Sequence, residues 1–372
     1  MKVILAGGGT GGHINPAIAI AEELKRRDPA ADILFIGNED GMEASLVPEA
    51  GFAFEHIRAH GFIRSKSLRD LPYNIKYLFM AANSTHKAKK IIRAFHADLV
   101  IGTGGYVSGP VVLAAQQIGV PTVIHEQNAF AGVTTRLIAK KAKKVFLSFP
   151  RTTGTEELTN TVVTGNPIRG GFSTVKKAQA RAALGIGERP FVLSYGGSLG
   201  ARVLNEAVAG MLELSRKEGK MTHLHGTGAA DRDAMAERLK ALHIEGDGSD
   251  GIEVREYIRN MADCMAACDL VISRAGAITL AEIAALGKPA ILIPSPNVAE
   301  NHQYHNACVF KDAGAALLIE EKDLTAERLY AALVEVVCDS ERRTAMEKAA
   351  LGLAHPDAAG EIADEIEKIL KK

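Results

Sequence analysis

The chain opens on a pattern that restricts its fold. A short apolar run at residues 3–6 leads into the segment GGGTGG (residues 7–12), and a helical pattern follows from about Pro16 to Arg26. Strand, glycine turn and helix in this order predict the first unit of a parallel α/β sheet. Glycines let the backbone approach an anion closely, and the positive end of the helix points to the same place. His13 follows the run directly, where its side chain can take part in chemistry.

Short apolar and β-branched runs recur between helical patterns along the chain. Strands that alternate with helices predict parallel sheets that are covered on both faces. The first series of predicted strands is 3–6, 33–37, 99–102, 122–125, 145–148 and 162–164. The second series is 191–195, 222–225, 253–256, 270–273, 290–294 and 316–319.

The second series begins as the first does, because the strand at 191–195 runs into GGSLGA (residues 196–201) before a helix from about Val203. The sequence Gly-Asn-Pro at 165–167 interrupts the pattern between the two series. We therefore predict an α/β fold of two Rossmann-like, doubly wound parallel-sheet domains that face each other across a cleft.

The predicted domains are residues 1–164 and residues 165–350. Residues 351–372 are predicted to form a helical tail that packs on either domain, the N-terminal one included. Its apolar face consists of Ile362, Ile366 and Ile369.

Composition sets limits on the class of protein. The 372 residues are 47% hydrophobic, which suffices for two cores, and Lys plus Arg and Asp plus Glu both number 44. Residues 1–161 carry 19 basic and 14 acidic side chains, so this part attracts anions more than the rest. No run approaches about 18 apolar residues and no charged leader precedes the first strand. We expect neither a spanning helix nor a signal peptide, and a cytoplasmic protein.

No metal and no cofactor are expected. The four cysteines fit no zinc-ligand spacing. They are Cys264, Cys268, Cys308 and Cys338.

The glycine run alone matches the dinucleotide fingerprint, with Glu39 or Asp40 placed to bind a ribose. Hydride transfer has no need of His13, however, and a second phosphate loop would be idle in a simple dehydrogenase. A nicotinamide oxidoreductase is therefore a distant alternative. Neither loop has the Gly-Lys-Ser/Thr ending of a nucleotide triphosphatase.

Polar clusters follow several predicted strands, at the edge where open α/β sheets bind ligands. In the first half they are GTGGY (102–106) and HEQN (125–128), and in the second RAGAITLAE (274–282) and the segment 294–303. Their carboxylate and amide groups suit sugar hydroxyls. For Glu282 a simpler role as a partner of the helix dipole stays open. No ligand pattern selects His302 or His305.

Together these segments resemble the MurG family of bacterial cell-wall enzymes, which add N-acetylglucosamine to undecaprenyl-linked muramoyl-pentapeptide and so convert lipid I to lipid II. The resemblance covers nearly the whole chain. Ile14-Asn15 and Gly226 depart from the family's usual pattern. The motifs that carry the resemblance are GGGTGGHINPA, GTGGYVSGP, HEQNAFAG, TGNPIR, GGSLGAR, RAGAITLAEI, GKPAILIP and NHQYHNA.

The resemblance implies a GT-B glycosyltransferase with UDP-N-acetylglucosamine (UDP-GlcNAc) as donor and lipid I as acceptor. It implies that residues 1–164 form an N-terminal acceptor and membrane-associating domain and that residues 165–350 form a C-terminal domain that binds UDP-GlcNAc. It implies that Ser198 holds the diphosphate, that the Ile258 backbone meets the uracil, and that residues 277–282 with Gln303 bind ribose and sugar hydroxyls. The implied substrate-binding residues are Thr10, Gly11, Gly12, Asn128, Arg169, Ser198, Ile258, Ala277, Ile278, Thr279, Leu280, Ala281, Glu282 and Gln303.

The implied reaction is a single inverting displacement that forms a β-1,4 linkage. A base must take the proton of the acceptor's 4-hydroxyl group. His13 is the first candidate, because a histidine side chain titrates near neutral pH, and Glu126 is the second. Two other roles stay open for His13, namely orienting the acceptor diphosphate and capping its helix.

Residues 58–93 contain nine basic residues and one acid, Asp70, interleaved with aromatic and aliphatic side chains. A solvated helix with a core face is the simpler interpretation. Because a polyprenyl substrate stays in the bilayer, we predict peripheral binding to anionic lipids of the inner face of the cell membrane.

Cell-wall or division proteins are candidate partners, and nucleic acid is not expected. A UDP-N-acetylglucosamine 2-epimerase of the same architecture is the main alternative function. A non-catalytic membrane scaffold is the alternative from another class.

Overall fold

The computed structural model describes residues 1–59, 71–168, 172, 175–197 and 199–371, with side chains described except at 71–79. Contacts within the chain divide it into two compact units. Unit 1 is Met1–Arg169 with Asp357–Lys372, and unit 2 is Gly170–Pro356. These limits lie slightly C-terminal to the predicted ones at 164 and 350.

Unit 1 is built on a parallel sheet of seven described strands in the order β3-β2-β1-β4-β5-β6-β7. Its strands are β1 (Lys2–Gly7), β2 (Asp32–Asn38), β3 (Ala53–Ile57), β4 (Leu99–Gly104), β5 (Thr122–Glu126), β6 (Lys144–Leu147) and β7 (Thr161–Val163). Its first helices are α1 (Gly11–Arg27), α2 (Glu43–Glu49), α3 (Leu71–Phe95), α4 (Gly105–Gln117) and α5 (Val133–Ile138).

Unit 2 repeats this plan with six described parallel strands in the order β10-β9-β8-β11-β12-β13. The strands are β8 (Phe191–Tyr195), β9 (Thr222–Gly226), β10 (Ile252–Arg255), β11 (Leu270–Ser273), β12 (Ala290–Leu292) and β13 (Ala316–Leu318). The helices are α6 (Lys177–Ala183), α7 (Arg202–Glu218), α8 (Arg232–Ala241), α9 (Met261–Ala267), α10 (Ala277–Ala285), α11 (His302–Asp312), α12 (Ala326–Val337) and α13 (Ser340–Leu351).

Each sheet reverses its strand order beside its first strand, which is β1 in unit 1 and β8 in unit 2. Doubly wound sheets bind ligands at this switch point, outside the carboxyl ends of the strands. Both glycine loops leave the sheets there. The predicted α/β class with two Rossmann-like parallel sheets is confirmed.

The last helix, α14 (Ala358–Leu370), belongs to unit 1 although it follows unit 2 in the chain. Ile362 and Ile366 are fully buried in the same core cluster as Ile14 and Ile18 of α1. At the rim of this contact Arg27 of α1 donates to the Gly360 carbonyl oxygen at 3.0 Å and pairs with Asp364 at 2.5 Å. Apolar packing and these polar contacts join the tail to the first helix.

Two local expectations differ from the structure. The helix expected from Pro16 begins at Gly11, so Pro16 lies inside α1 and His13 lies in its first turn. A proline near a helix start marks the first turn only loosely, since it removes just one backbone N–H group from the ladder. Strand β3 was not expected, because it is an edge strand in which only Ile57 is buried and no apolar run marks it.

No helix among the described residues is long and apolar enough to cross a bilayer. The basic segment predicted to meet the membrane lies partly outside the described residues. In its described part, α3 buries Ala88 and Ile92 and exposes Lys87, Lys90 and Arg93.

Candidate functional site

The first group of predicted site residues lies at the N-terminus of α1. Thr10 is the N-cap, and its carbonyl oxygen accepts the backbone N–H groups of His13 at 3.1 Å and Ile14 at 3.2 Å. Gly11 and Gly12 begin the helix. The first N–H groups of a helix have no intrahelical acceptor, so they favour an anion at this end.

His13 is held by a residue near the end of β4 and by one that directly follows β5. Its Nδ1 lies 3.1 Å from the carbonyl oxygen of Thr103 and 3.1 Å from Oε1 of Gln127. The Thr103 hydroxyl donates to the His13 carbonyl oxygen at 2.8 Å. Strands β1, β4 and β5 are neighbours in the sheet, which explains how the three residues meet.

Gly104 and Gly105 are required because their backbone passes too close to other atoms to leave room for a side chain. Gly104 has φ +100°, and a Cβ there would lie 2.6 Å from His13 Nδ1. Gly105 has φ +76°, and a Cβ there would lie 2.1 Å from the carbonyl oxygen of Gly8. The GTGGY motif therefore lets β4 pass directly against the first glycine loop and the histidine ring.

Glu43 was not recognised in the sequence, yet it organises the first glycine loop. Its carboxylate is fully buried and accepts the backbone N–H groups of Gly9 at 3.1 Å and Asn38 at 2.9 Å. A Cβ on Gly8 would lie 2.3 Å from its Oε1. One loop amide is thus bound to a carboxylate of the chain itself. Nothing in the local pattern distinguishes this acid from its neighbours Glu39 and Asp40.

Glu126, the second candidate base, is buried with a carboxylate that accepts several hydrogen bonds. Oε1 accepts from the backbone N–H of Asn128 at 3.1 Å, and Oε2 accepts from the backbone N–H of Gly132 at 3.0 Å and the Thr135 hydroxyl at 2.6 Å. The side-chain amide of Asn128 also donates to Oε1, at 3.3 Å. These contacts shape the loop after β5, which carries Asn128.

In unit 2 the second glycine loop interlocks with the loop that follows β9. Gly200 has φ +82°, and a Cβ there would lie 2.1 Å from the carbonyl oxygen of Thr227. The same oxygen accepts from Asn205 Nδ2 at 2.9 Å. Helix α7 begins directly afterwards, at Arg202. The loop and the helix N-terminus together form a second place that favours an anion.

A buried polar network supports this second loop. Ser194 Oγ lies 2.7 Å from His223 Nε2 and 2.7 Å from His225 Nδ1, and His225 Nε2 lies 3.1 Å from Asn205 Oδ1. Burial lowers the pKa of His223 to about 3 and that of His225 to about 4. Both rings are therefore neutral at neutral pH, which suits a structural role beneath the loop.

The predicted ribose and sugar residues lie after β10, β11 and β12 of the same sheet. Helix α10 carries positions 277–282, with Leu280 fully buried, and Ile258 after β10 is 3% exposed. Burial raises the pKa of Glu282 to about 8. Its carboxyl group is therefore mostly protonated at neutral pH in the free protein.

Two polar side chains of α11 fix the neighbouring loops. Gln303 Oε1 accepts from the backbone N–H of Ser295 at 2.9 Å, and Asn306 Nδ2 donates to the Ala275 carbonyl oxygen at 3.3 Å. Arg274 donates to the Ile293 carbonyl oxygen at 3.1 Å and pairs with Glu321. The RAGAITLAE segment is thereby tied to Ile293, directly after β12, and to α11, while Gln303 fixes the segment 294–303.

Two predicted residues, Arg169 and Ser198, lie outside the described residues. Cys264 in α9 and Cys268 directly after it are buried, and burial raises the pKa of each thiol to about 11, which keeps both as thiols. The shared cleft expected from the sequence stays a prediction.

Two family models match the chain. The glycosyltransferase family 28 N-terminal domain matches residues 3–147, and the glycosyltransferase family 28 C-terminal domain matches residues 191–362.

Among the curated relatives, an Acetivibrio thermocellus protein is 41% identical over 373 residues, with 100% of this chain and 99% of the relative covered. It is named UDP-N-acetylglucosamine–N-acetylmuramyl-(pentapeptide) pyrophosphoryl-undecaprenol N-acetylglucosamine transferase. The crystal structure of Acinetobacter baumannii MurG is similar over 99% of both chains, with 29% identity and a TM-score of 0.79.

A putative UDP-N-acetylglucosamine 2-epimerase from Listeria monocytogenes is similar over 100% of this chain and 96% of that chain, with 14% identity and a TM-score of 0.70. At this identity the likeness concerns the fold alone.

Proposed function

Since the chain belongs to glycosyltransferase family 28, among the undecaprenyl-pyrophosphoryl-muramoyl-pentapeptide N-acetylglucosamine transferases, we propose that it acts on lipid I with His13 as general base. The chain is a UDP-GlcNAc-dependent hexosyltransferase of peptidoglycan synthesis. It transfers N-acetylglucosamine from UDP-GlcNAc to lipid I and forms lipid II.

The observation that carries the proposal for His13 is its placement at the first helical turn after β1, with Nδ1 against Thr103 and Gln127. The ring is half-buried. Glu126, in contrast, uses both carboxylate oxygens within its own loop. We therefore assign proton abstraction to His13 and loop organisation to Glu126, which places Asn128 for substrate binding.

Unit 2 is proposed to hold the donor. The diphosphate is assigned to the second glycine loop with Ser198 and to the N-terminus of α7, while Arg169, Thr10, Gly11 and Gly12 are assigned to substrate by their motifs. Loop amides and helix N-termini stabilise the negative charge that develops on the departing diphosphate. The uracil is assigned to Ile258, and the ribose and sugar to residues 277–282 with Gln303.

Glu282 gives a prediction for donor binding. We expect the affinity for UDP-GlcNAc to rise about eightfold between pH 7 and pH 8.5, because a carboxylate accepts sugar hydroxyls best and only the ionised fraction, with its pKa of about 8, serves fully. Titration calorimetry at several pH values measures this. Glu282→Gln should bind more weakly and lose the pH dependence. A wild-type affinity that is flat over this range would contradict the assignment.

The transfer reaction itself has a direct assay. Labelled UDP-GlcNAc and lipid I are incubated with the protein, and the products are separated. Transfer of label to lipid I with release of UDP supports the proposal. Formation of free UDP-N-acetylmannosamine without any lipid product would favour the epimerase, which shares the fold.

We also propose that unit 1 associates peripherally with the inner face of the cell membrane. Among described residues, α5 and the turn after it expose apolar and basic side chains together, which we name the α5 patch. Leu137 is 78% exposed and Val133 is 38% exposed, so the two together give the patch its apolar part. The patch consists of Val133, Arg136, Leu137, Lys140 and Lys141.

Vesicle sedimentation tests the α5 patch. We expect the double variant Leu137→Asp with Lys141→Glu to lower binding to vesicles containing anionic lipid at least about tenfold, because each basic residue near such a surface contributes about 1 kcal/mol. The matched control is Leu351→Asp with Lys348→Glu on exposed positions of unit 2. Equal loss in both variants, or binding that ignores anionic lipid and salt, would contradict the proposal.

A further inference from the structure

The orientation of the Gln127 side-chain amide is determined by a neighbour that can only accept. Gln127 is 2% exposed, and one end of its amide lies 2.7 Å from the Thr103 carbonyl oxygen. That end must be the Nε2 group, since two oxygens cannot share a hydrogen bond without a proton. The other end, Oε1, consequently faces His13 Nδ1 at 3.1 Å.

The proton on His13 follows from the same argument. Its Nδ1 faces the Thr103 carbonyl oxygen and Gln127 Oε1, both at 3.1 Å and both acceptors. Nδ1 must therefore carry the hydrogen in this arrangement. In a neutral imidazole ring the other nitrogen, Nε2, then has a free lone pair, which is the form that accepts a proton.

His125 also binds the side-chain amide of Gln127. Its Nε2 lies 3.0 Å from the Gly165 carbonyl oxygen, so Nε2 carries the hydrogen and Nδ1 accepts from Gln127 Nε2 at 2.9 Å. His125 is fully buried, and burial lowers its pKa to about 4. The ring stays neutral at neutral pH and keeps both of these roles.

We propose that Gln127, backed by His125, is a positioning residue that keeps His13 in the tautomer with Nε2 free to take the proton of the acceptor hydroxyl. This inference rests on the proposed role of His13 as base. During transfer the acceptor O–H bond breaks and its proton goes to Nε2. The oxygen bonds to the anomeric carbon, and UDP leaves with the electron pair of the broken C–O bond.

The atoms that face Nδ1 are neutral. Glu126 directs its carboxylate to Gly132 and Thr135, and Glu43 directs its own to Gly9 and Asn38. Further titratable groups beside this site, among the described residues, are Tyr106, whose ring would lie 2.8 Å from a Cβ on Gly9, and His125. Unlike a histidine backed by a carboxylate, His13 therefore has an amide as its partner.

Nitrogen-15 NMR of the ring nitrogens at pH 8 tests the tautomer without any substrate. We expect His13 of the wild type to be the Nδ1–H form and Gln127→Leu to show a detectable Nε2–H population. The matched control is Gln116→Leu, which removes a side chain that donates to the Ile138 carbonyl oxygen at 2.9 Å in the same unit. The control should leave the His13 signals unchanged. An Nε2–H ring in the wild type overturns the proposal.

Kinetics in detergent supply the second readout. Gln127→Leu should lower kcat about 10²-fold, as displaced catalytic groups do, with the KM for UDP-GlcNAc within about twofold. Gln127→Glu should keep the Nδ1–H form and most of kcat while its carboxyl group is protonated, because the oxygen that replaces Nε2 then donates to the Thr103 carbonyl oxygen as Nε2 does. Loss of this proton at higher pH should lower kcat towards the value of Gln127→Leu. Gln127→Glu keeps the shape of the side chain and serves if the leucine variant does not fold.

The two readouts distinguish a failure of the positioning role from a failure of the proposed function. An unchanged kcat in Gln127→Leu, or a His13 ring in that variant that stays wholly in the Nδ1–H form, overturns the positioning role. If that variant does not fold, a kcat profile of Gln127→Glu identical to that of the wild type overturns it. Absence of transfer by a wild type that shows the Nδ1–H ring overturns the proposed function instead.

Discussion

His13→Ala is expected to lower kcat for transfer to lipid I by about 10²- to 10⁴-fold, the usual contribution of a general base. Among the described residues, no other side chain at the first turn of α1 has a titratable nitrogen. The substitution therefore removes the proposed base, His13 Nε2, and nothing at this turn replaces it. Saturating donor and acceptor are required, so that the measurement reports the chemical step. Near-normal turnover would contradict the assignment.

A matched comparison distinguishes catalysis from binding. The affinity for UDP-GlcNAc should change less than about twofold in His13→Ala, because the residue lies in unit 1 and the donor is assigned to unit 2. Glu126→Gln should instead lower the free energy of unfolding, since its carboxylate accepts from Asn128, Gly132 and Thr135. A variant of Glu126 that folds normally but loses the acid limb of the kcat profile would restore Glu126 as the base.

Gly200→Ala is expected to abolish measurable donor binding or to lower the free energy of unfolding by more than about 4 kcal/mol. A loss this large is exceptional for a single substitution and indicates a severe local disruption. The added Cβ would lie 2.1 Å from the Thr227 carbonyl oxygen, and φ is +82°. Both obstacles involve backbone, so no side chain can move aside. Calorimetry with UDP and denaturant unfolding measure the two effects.

The control is Gly219→Ala at the other end of the same helix. Gly219 also has a positive φ, +63°, but a Cβ there would meet nothing within 4 Å. It should cost about 1–2 kcal/mol from backbone strain alone and leave UDP binding intact. Equal losses at both positions would show that contact with Thr227 is unimportant.

The two sheets were predictable because their strands are short, apolar and separated by helical periods. Strand β3 was not, since its exposed positions at a sheet edge leave only Ile57 as a core residue. The start of α1 was also misplaced. A helix can begin within glycines when a ligand site or a neighbouring strand compensates for their low propensity, and sequence periodicity does not report that.

The polar clusters of the candidate site could be predicted from the sequence, but the hydrogen-bond partners of their side chains could not. The HEQN segment contains three adjacent side chains with three different neighbours. His125 meets Gly165, Glu126 meets the loop at Gly132, and Gln127 meets His13. The pairings of His125 and Gln127 join residues far apart in sequence, so local spacing cannot assign them. Glu43 had no signal at all, because its role depends on the backbone N–H groups of Gly9 and Asn38 that the fold brings to its carboxylate.

The position of α14 affects how the protein is made. Unit 1 begins the polypeptide, yet part of its core, Ile362 and Ile366, is supplied by residues synthesised after unit 2. At about 5–20 residues per second, the ribosome needs roughly ten seconds or more to add the intervening unit. During this interval the face of α1 that α14 will cover is open to water and to chaperones. The later unit can therefore complete its fold before the earlier one.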